Sequence, residues 1–396
     1  MTKNANFLST FSVTNFKAIR KSGTIRFAPF TAVIGNNGSG KSSLIEALST
    51  YRKFISGDID RAFGPWHGFE HVRNKHIATS TLKTHRTSGI RFSLSGIISG
   101  FTFRKRFSIS TEINERNGGN NVYRAEESGK IGNSYVSSDG KGGTSVRSSK
   151  SDIDDLSKVI GMAAPHESIF SAVPQLRYYI GNWQFLSLNP GVMGEPKQKS
   201  MRGTPSVLQP DGSNIGEYLL DILNGENGVD VFNGIIEQLK YVLPYTKDIQ
   251  PTLTSELDKS VFLQLSESNF KVPGWLLSTG TLRVLALLAV LGNPNPPSLV
   301  VIEELENGLD PRTIHLLIEE IMNATESGRT QVIATTHSPY LLDLLPLSTV
   351  LFVERPDGGE PVFSRPVDEE SKRKWAEQFG PGQLYTMNRL SKGAAR

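Results

Sequence analysis

The sequence predicts an α/β fold: a mixed β-sheet with antiparallel N-terminal strands and a parallel core, helices on both faces, and an inserted α+β lobe. Three observations predict it. The apolar run Thr31-Ala32-Val33-Ile34 leads through the glycine loop Gly35-Asn36-Asn37-Gly38-Ser39-Gly40-Lys41-Ser42 into a helical pattern that starts at Ser43. Two more apolar runs, Ser298-Leu299-Val300-Val301-Ile302 and Gln331-Val332-Ile333-Ala334-Thr335-Thr336, lack alternation, as strands buried on both faces do. Elsewhere, Ile90-Arg91-Phe92-Ser93-Leu94-Ser95 and residues 101–110 alternate with period two, as antiparallel strands with one wet face do.

In chain order, residues 11–16 alternate like a strand, and residues 23–27 repeat the pattern after a Lys21-Ser22-Gly23 turn, which reads as a hairpin. Residues 30–34 deliver the glycine loop. Beyond it, Leu44, Ala47, Leu48 and Tyr51 recur at helical spacing, so one face of that helix is buried. From 117 to 150 glycine, serine and charge dominate, and Gly118-Gly119-Asn120-Asn121 and Gly140-Lys141-Gly142-Gly143 read as turns or mobile loops. A short helix is expected over 151–159 and a strand over Leu176-Arg177-Tyr178-Tyr179-Ile180. Asp211-Gly212-Ser213-Asn214 is expected to cap a helix whose apolar positions are Ile215, Tyr218, Leu219 and Ile222. A second amphipathic helix covers 231–243, and Val261-Phe262-Leu263-Gln264-Leu265 is a strand. No heptad run long enough for a coiled coil is present. The expected domains are 1–56, an N-terminal half of a nucleotide-binding head; 57–170, an inserted β-rich basic arm; 171–270, a helical and strand lobe; and 271–396, the rest of the head.

The loop's spacing carries its chemistry. Gly35, Gly38 and Gly40 let the backbone curl its N–H groups onto a phosphate, and the positive end of the following helix dipole points at the same anion. Lys41 reaches the β- and γ-phosphates, Ser42 takes a place on Mg²⁺, and Ser43 completes the nucleotide-binding set. Ser298–Ile302 ends in Glu303-Glu304, so the carboxyl end of a buried strand presents two acids. In phosphoryl-transfer sites one such acid serves Mg²⁺ and the other orients the attacking water. His337 follows the strand 331–336, at the strand end where ligands of open α/β sheets sit. Leu277-Ser278-Thr279-Gly280 precedes an apolar helix and reads either as an anion site or as a plain serine N-cap.

Composition narrows the classes. The 396 residues suffice for a full core and two lobes. With no cysteine, disulfides, thiolate metal sites and cysteine nucleophiles are excluded. No apolar stretch reaches a membrane span, and the polar N-terminus lacks a signal segment, so a cytoplasmic protein without a membrane partner is expected. Residues 71–150 hold fourteen Lys/Arg against five Asp/Glu in a chain of net charge +4, which allows nucleic-acid contact through that segment or simply a solvated basic face.

Taken in order, these motifs resemble the ABC-class ATPases, specifically the RecF/SMC/OLD-like branch of the AAA family ATPases of bacteria. The resemblance rests on Val13-Thr14-Asn15-Phe16-Lys17, the loop Gly35–Ser42, Leu277–Gly280, Ile302-Glu303-Glu304-Leu305-Glu306-Asn307-Gly308-Leu309-Asp310-Pro311, and Thr335-Thr336-His337-Ser338-Pro339. Val350-Leu351-Phe352-Val353-Glu354 and Gly382-Gln383-Leu384-Tyr385 match near the end, so it spans nearly the whole chain. It implies an ABC-type ATPase head with ATP and Mg²⁺ as cofactors, Glu303 and Ser42 serving the metal, and Glu304, His337 and Lys41 as catalytic residues. It also implies a head-to-tail homodimer in which Ser278, Thr279 and Gly280 act as a signature in trans and Asp310 belongs to the D-loop. The sequence departs from the pattern at Glu303 (usually Asp), Leu305 (usually Pro) and Asn36 (usually Pro), none of which removes a needed functional group, so hydrolysis is expected. No glutamine lies between Ser43 and Pro174 to serve a Q-loop.

Two functions follow. One is an ATP-gated switch for a separate nuclease or toxin effector in antiphage defence. In support, the roughly 60 residues after His337 are too few for a nuclease domain of the chain's own. The other is a RecF-like DNA-binding ATPase of repair, which the Arg104-Lys105-Arg106 cluster would serve. A transporter subunit is disfavoured by the long segment between loop and signature.

Overall fold

In the computed structural model, which describes residues 6–75, 89–99, 104–115, 123–147, 166–200, 206–254, 259–267, 269–356 and 359–391, the chain begins with strand β1 (Phe7–Phe16). A bulge between Leu8 and Thr10 shifts its alternation, so that Leu8, Phe11 and Val13 are all buried. β2 (Ile19–Lys21) and β3 (Ile25–Arg26) both pair antiparallel with β1. The reversal into β2 uses Asn15 and Lys17 at positive φ, so Lys21-Ser22-Gly23 is a kink between two short strands rather than the hairpin turn expected from sequence. β4 (Phe30–Ile34) is buried at every position and delivers the glycine loop into α1 (Lys41–Ser56). Leu44, Ala47, Leu48 and Tyr51 are buried on one face of α1, as their spacing predicts.

The antiparallel sheet continues through β5 (Ile90–Ile98), β6 (Lys105–Glu115), β7 (Tyr123–Ile131), β8 (Ser134–Ser138) and β9 (Thr144–Arg147), in the order β2-β1-β5-β6-β7-β8-β9 with β3 also on β1. Tyr51 of α1 meets Phe92 of β5 with ring centroids 5.4 Å apart, and Phe16 of β1 meets the same ring edge-on at 6.0 Å. Such pairs contribute about 0.5–1.5 kcal/mol each beyond their buried area, and these tie the loop's helix to the sheet. The strands β7 to β9 occupy part of the stretch read as turns and loops. Only Gly140-Lys141-Gly142-Gly143, between β8 and β9, is the turn expected there. The expected turn at 118–121 and helix at 151–159 lie outside the described residues. So do the Phe101-Thr102-Phe103 start of the second expected strand and most of the loops of the basic segment.

The next element corrects the sequence reading. Residues 176–180 lie in helix α2 (Pro174–Gly181), not in a strand. Pro174 suits a first helical turn, and Leu176, Tyr179 and Ile180 are buried at helical spacing. The strand comes just after, as β10 (Trp183–Leu186).

Gln184–Leu345 is a second compact unit, and Met1–Trp183 with Pro346–Arg396 is the first. In the second unit β11 (Lys197–Gln198) precedes α3 (Ile215–Leu223) and α4 (Gly228–Val242). Asn214 does not cap α3 with its side chain; that side chain bonds the preceding loop instead, accepting from the Gln209 N–H and donating to the Val207 carbonyl. β12 (Thr246–Leu253), β13 (Ser260–Glu267) and β14 (Phe270–Pro273) make an antiparallel sheet with β11. Helix α5 (Thr279–Gly292), β15 (Leu299–Ile302), α6 (Pro311–Glu326) and β16 (Gln331–Thr336) follow, and β15 pairs in parallel with β16. The chain then returns to the first unit as β17 (Val350–Glu354), parallel to β4, β18 (Val362–Ser364), antiparallel to β17, α7 (Glu370–Ala376) and α8 (Pro381–Thr386). The fold is thus mixed α/β, with an antiparallel N-terminal sheet and largely parallel core strands. The longest helices described have 16 residues, so no coiled coil is among them. No helix among the described residues is long and apolar enough to cross a membrane.

One polar cluster lies inside the first unit. Glu127 of β7 is 3% exposed and accepts from Thr111 Oγ1 (2.9 Å), Ser168 Oγ (2.7 Å) and the Ile169 N–H (2.6 Å). The Tyr51 hydroxyl of α1 lies 3.2 Å from Thr111 Oγ1. Burial raises the Glu127 carboxyl from its ordinary 4.5 to about 7, with its hydrogen bonds pulling the other way. The same burial, with the charge of Glu127 behind it, raises the Tyr51 phenol. A raised folded-state pKa contributes stability that is complete below the unfolded value and lost as pH rises through the folded one. Wild-type protein is therefore expected to lose stability relative to Glu127→Gln between about pH 4.5 and 7. Melting temperatures of both across that window check it, and a constant difference would reject the cluster as a titrating one.

Candidate functional site

Two groups of functional side chains are built, one in each unit. In the first, the glycine loop is held from outside by the C-terminal strands. A Cβ on Gly35 would lie 1.9 Å from the Val353 carbonyl oxygen of β17, and one on Gly40 would lie 2.7 Å from Pro361. Gly40 also takes φ +111 at the start of α1, which only glycine adopts readily. Asn36, Asn37, Gly38 and Ser42 are exposed, whereas Ser39 and Gly40 are buried. Lys41, 7% exposed, turns its Nζ onto the carbonyls of Gly35 (2.6 Å) and Asn36 (3.1 Å). The buried Ser39 hydroxyl finds no protein partner.

This arrangement fits a nucleotide phosphate chain. The ammonium and the start of α1 are aimed into the loop, and an unpartnered hydroxyl lies inside it. An open cleft of about 1020 Å³ adjoins the loop, lined by Asn36, Asn37, Glu354, Arg355, Tyr385 and Asn388 among others. The Tyr385 hydroxyl of α8 donates to Asn36 Oδ1 at 3.1 Å. Sequence reasoning noted Gly382–Tyr385 without giving it a part. Its contact with the loop comes from the fold, 349 residues along the chain.

In the second unit Ser278 is the N-cap of α5, its Oγ accepting from the Thr281 N–H at 3.1 Å. Ser278 and Thr279 are nevertheless exposed at the helix start. Gly280 abuts the acidic turn, for a Cβ there would lie 2.8 Å from the Gly308 carbonyl oxygen. β15 is buried at all four positions and is followed by Glu303, whose N–H donates to the Leu186 carbonyl. Glu304 is exposed and adopts φ +50, uncommon for a residue other than glycine, asparagine or aspartate. Its N–H donates to Thr335 Oγ1 (2.9 Å), and its carboxylate accepts from Asn307 Nδ2 (3.2 Å).

His337 is exposed at the end of β16, and its backbone N–H donates to Glu306 Oε1 at 2.6 Å. Asp310 caps α6, accepting from the Arg312 and Thr313 N–H groups and from the Thr313 hydroxyl. These bonds, the Thr313 hydroxyl first, hold its carboxyl below the usual range. Ser278, Thr279, Gly280, Glu303, Glu304, Asp310 and His337 thus belong to one unit, and one of them, Glu304, is held by a residue the sequence reading does not single out. Arg283 of α5, 4% exposed, donates from Nη2 to the Glu304 carbonyl (2.9 Å) and from Nη1 to the Leu188 carbonyl (2.9 Å). Its one sequence signal is a charge in the middle of an otherwise apolar helix.

A Mg²⁺ ion needs oxygen donors. Among the described residues no group of three or more histidine or acidic side chains could hold a metal alone. The Ser42 hydroxyl and Glu303 carboxylate are the donors expected from sequence, and their chemistry suits a cation held chiefly by phosphate oxygens.

Comparison with known proteins places this geometry. The family described as "AAA domain, putative AbiEii toxin, Type IV TA system" matches residues 30–343. No curated protein matches the chain. Among solved structures, the crystal structure of the SmcHead bound to the C-winged helix domain of ScpA is similar at 15% identity, covering 93% of this chain and 99% of that one, with a TM-score of 0.53. The Smc head domain with an extended coiled coil, bound to the C-terminal domain of ScpA derived from Pyrococcus furiosus, is similar at 11% identity over 94% and 100%, with a TM-score of 0.52. At these identities the likeness shows a shared fold, that of an ABC-like head.

Lys41→Ala removes the only side-chain cation of the loop. Loss of charge-assisted hydrogen bonds worth about 1.5–3 kcal/mol is expected to weaken ATP binding roughly 10–100-fold. Titration with a fluorescent ATP analogue, beside a melting curve showing an intact fold, measures it. Unchanged affinity would mean that the loop does not hold the nucleotide.

Proposed function

The chain belongs to the family described as AAA domain, putative AbiEii toxin, Type IV TA system, a P-loop ATPase family, and from that premise we propose that it is an ATP-hydrolysing dimeric switch controlling a separate nuclease or toxin effector in antiphage defence. The observation that carries the reading is the turn at Glu304. An exposed carboxylate follows a fully buried strand, on a backbone held in the left-handed region by fixed hydrogen bonds. Strained backbone at an exposed acid is where function is expected to sit.

In this reading the loop Gly35–Ser43 binds the triphosphate, and Lys41 neutralises its β- and γ-oxygens. Bound Mg²⁺ would supply charge neutralisation on the phosphates, with Ser42 and Glu303 as its protein donors. Glu304 accepts the proton of the attacking water, and His337 steadies the γ-phosphate. Ser278, Thr279 and Gly280 serve a second protomer. What supports this is the exposure of Ser278 and Thr279 at the positive end of the 14-residue helix α5, where the dipole favours an anion from outside the chain. ATP then joins two protomers, and hydrolysis releases them, so occupancy reports to an effector as assembly state. The effector itself is inferred from the family's description, which names a toxin and a toxin–antitoxin system.

Glu304→Gln is expected to bind ATP, lose turnover by roughly 100-fold or more, and accumulate as a dimer in light scattering with ATP present. A monomer at saturating ATP would end the dimer reading. Mixing Lys41→Ala with Ser278→Arg protomers is expected to restore part of the activity that neither has alone; no recovery would argue against a signature acting in trans.

A further inference from the structure

We propose that Arg283 is a positioning residue for Glu304: its guanidinium, carried on the signature helix, clamps the Glu304 carbonyl and so holds the base in its left-handed turn. This rests on the reading of Glu304 as the base.

Arg283 lies one turn into α5 among Leu282, Val284, Leu285 and Leu287, all buried. Nη1 is anchored on the Leu188 carbonyl and Nη2 reaches the Glu304 carbonyl, both at 2.9 Å. The same Glu304 oxygen accepts the Asn307 N–H at 3.0 Å, and on the other side of the residue its N–H is held by Thr335 Oγ1. Three bonds therefore pin both ends of a residue at φ +50, and only one comes from another helix. Arg283 is also the link to the signature. Three residues before it, Gly280 packs on Gly308 of the same turn, so α5 grips that turn at two points, 280 on 308 and 283 on 304.

Packing alone does not explain an arginine here. Burial lowers the guanidinium's pKa, with Glu304 and Glu306 working against that, and its Nε is buried without a partner. An apolar side chain of similar length would fill the space with no charge to desolvate. What the apolar chain could not do is donate to two carbonyls at once, and a lysine's single ammonium, which lacks the planar fork, could not span them in the same way. Glu306, beside Arg283, continues the link, since it accepts the His337 N–H and leaves its second oxygen, Oε2, buried and unpartnered. The signature helix, the base and the switch histidine thus share one hydrogen-bonded turn.

The test compares full-length Arg283→Met and Arg283→Lys with wild type and Glu304→Gln, reading kcat, KM, affinity for a fluorescent ATP analogue, and melting temperature. For Arg283→Met, kcat is expected to fall roughly 10–100-fold while ATP affinity stays within about threefold. Arg283→Lys, which can reach one carbonyl, is expected to fall between the two. Two results overturn the proposal: a folded Arg283→Met with wild-type kcat, or kcat and affinity lost together in step with melting temperature, which marks a structural residue. Should Arg283→Met fail to fold, Arg283→Lys decides alone: lowered kcat at unchanged affinity and melting supports the clamp, and wild-type kcat overturns it. Glu304→Gln separates the two readings. If it is inactive while Arg283→Met is fully active, the clamp fails and the base stands; if it turns over normally, the base reading fails and the clamp with it.

Discussion

The first unit depends on the closeness of two backbones. The Val353 carbonyl and Pro361 stand where Cβ atoms of Gly35 and Gly40 would be, so the loop exists only because those positions carry no side chain. That contact fixes the loop against β17 and β18, and its exit at Gly40 fixes where α1 begins. From there the consequences run down the helix. Leu44 and Leu48 are buried with Tyr51, Tyr51 touches Phe92 and Thr111 of the antiparallel sheet, and Thr111 holds Glu127. A buried carboxylate on β7 is therefore connected to the helix that begins at Lys41 through Thr111 and Tyr51.

The second unit solves a related problem with a different device. Its acidic turn must present two carboxylates at the end of a strand with no polar position of its own. Glycine again allows close approach, at Gly280 on Gly308. The turn itself, however, has a glutamate rather than a glycine at positive φ, and the missing tolerance is supplied by hydrogen bonds from Arg283, Thr335 and Asn307. A glycine would adopt that backbone without help but would carry no carboxylate. The chemistry wanted at 304 thus requires the scaffold around it, and that scaffold is drawn from α5 and β16 as well as from Asn307 of the turn itself.

Legibility in the sequence followed from how each element meets water. β4, β15 and β16 are buried on both faces, so an unbroken apolar run marks them, and α1 shows its helical face just as plainly. The parallel pairings of β15 with β16 and of β17 with β4 are as the fold class predicts. β7 was not legible because Glu127 takes an inward position that would ordinarily be apolar, and Gly129 takes another, where a side chain would strike the Ser108 carbonyl. Residues 174–181 misled because a short apolar–polar run fits either period, and only Pro174 at the first turn distinguished them. The site shows the same division. Lys41, Glu303, Glu304 and His337 stand at element ends where motif spacing finds them, while Arg283 and Tyr385 act through partners 21 and 349 residues away, a distance no local pattern encodes.

Polar groups buried at a cost bring these strands of reasoning together. Glu127 and Arg283 are buried, Glu306 buries one carboxylate oxygen, and the last two leave an atom without a partner. None contributes most by adding stability, since an apolar replacement of equal size is commonly neutral or better in a core. What they share is position. Glu127 joins α1 to the sheet through Thr111, Arg283 joins α5 to the turn at Glu304, and Glu306 joins that turn to the backbone of His337. Directional bonds at these joints make each motif's backbone answer to its neighbour's, where apolar packing would only hold them near one another. Polar groups retained inside each unit are therefore best understood as joints that fix one element's backbone against its neighbour's.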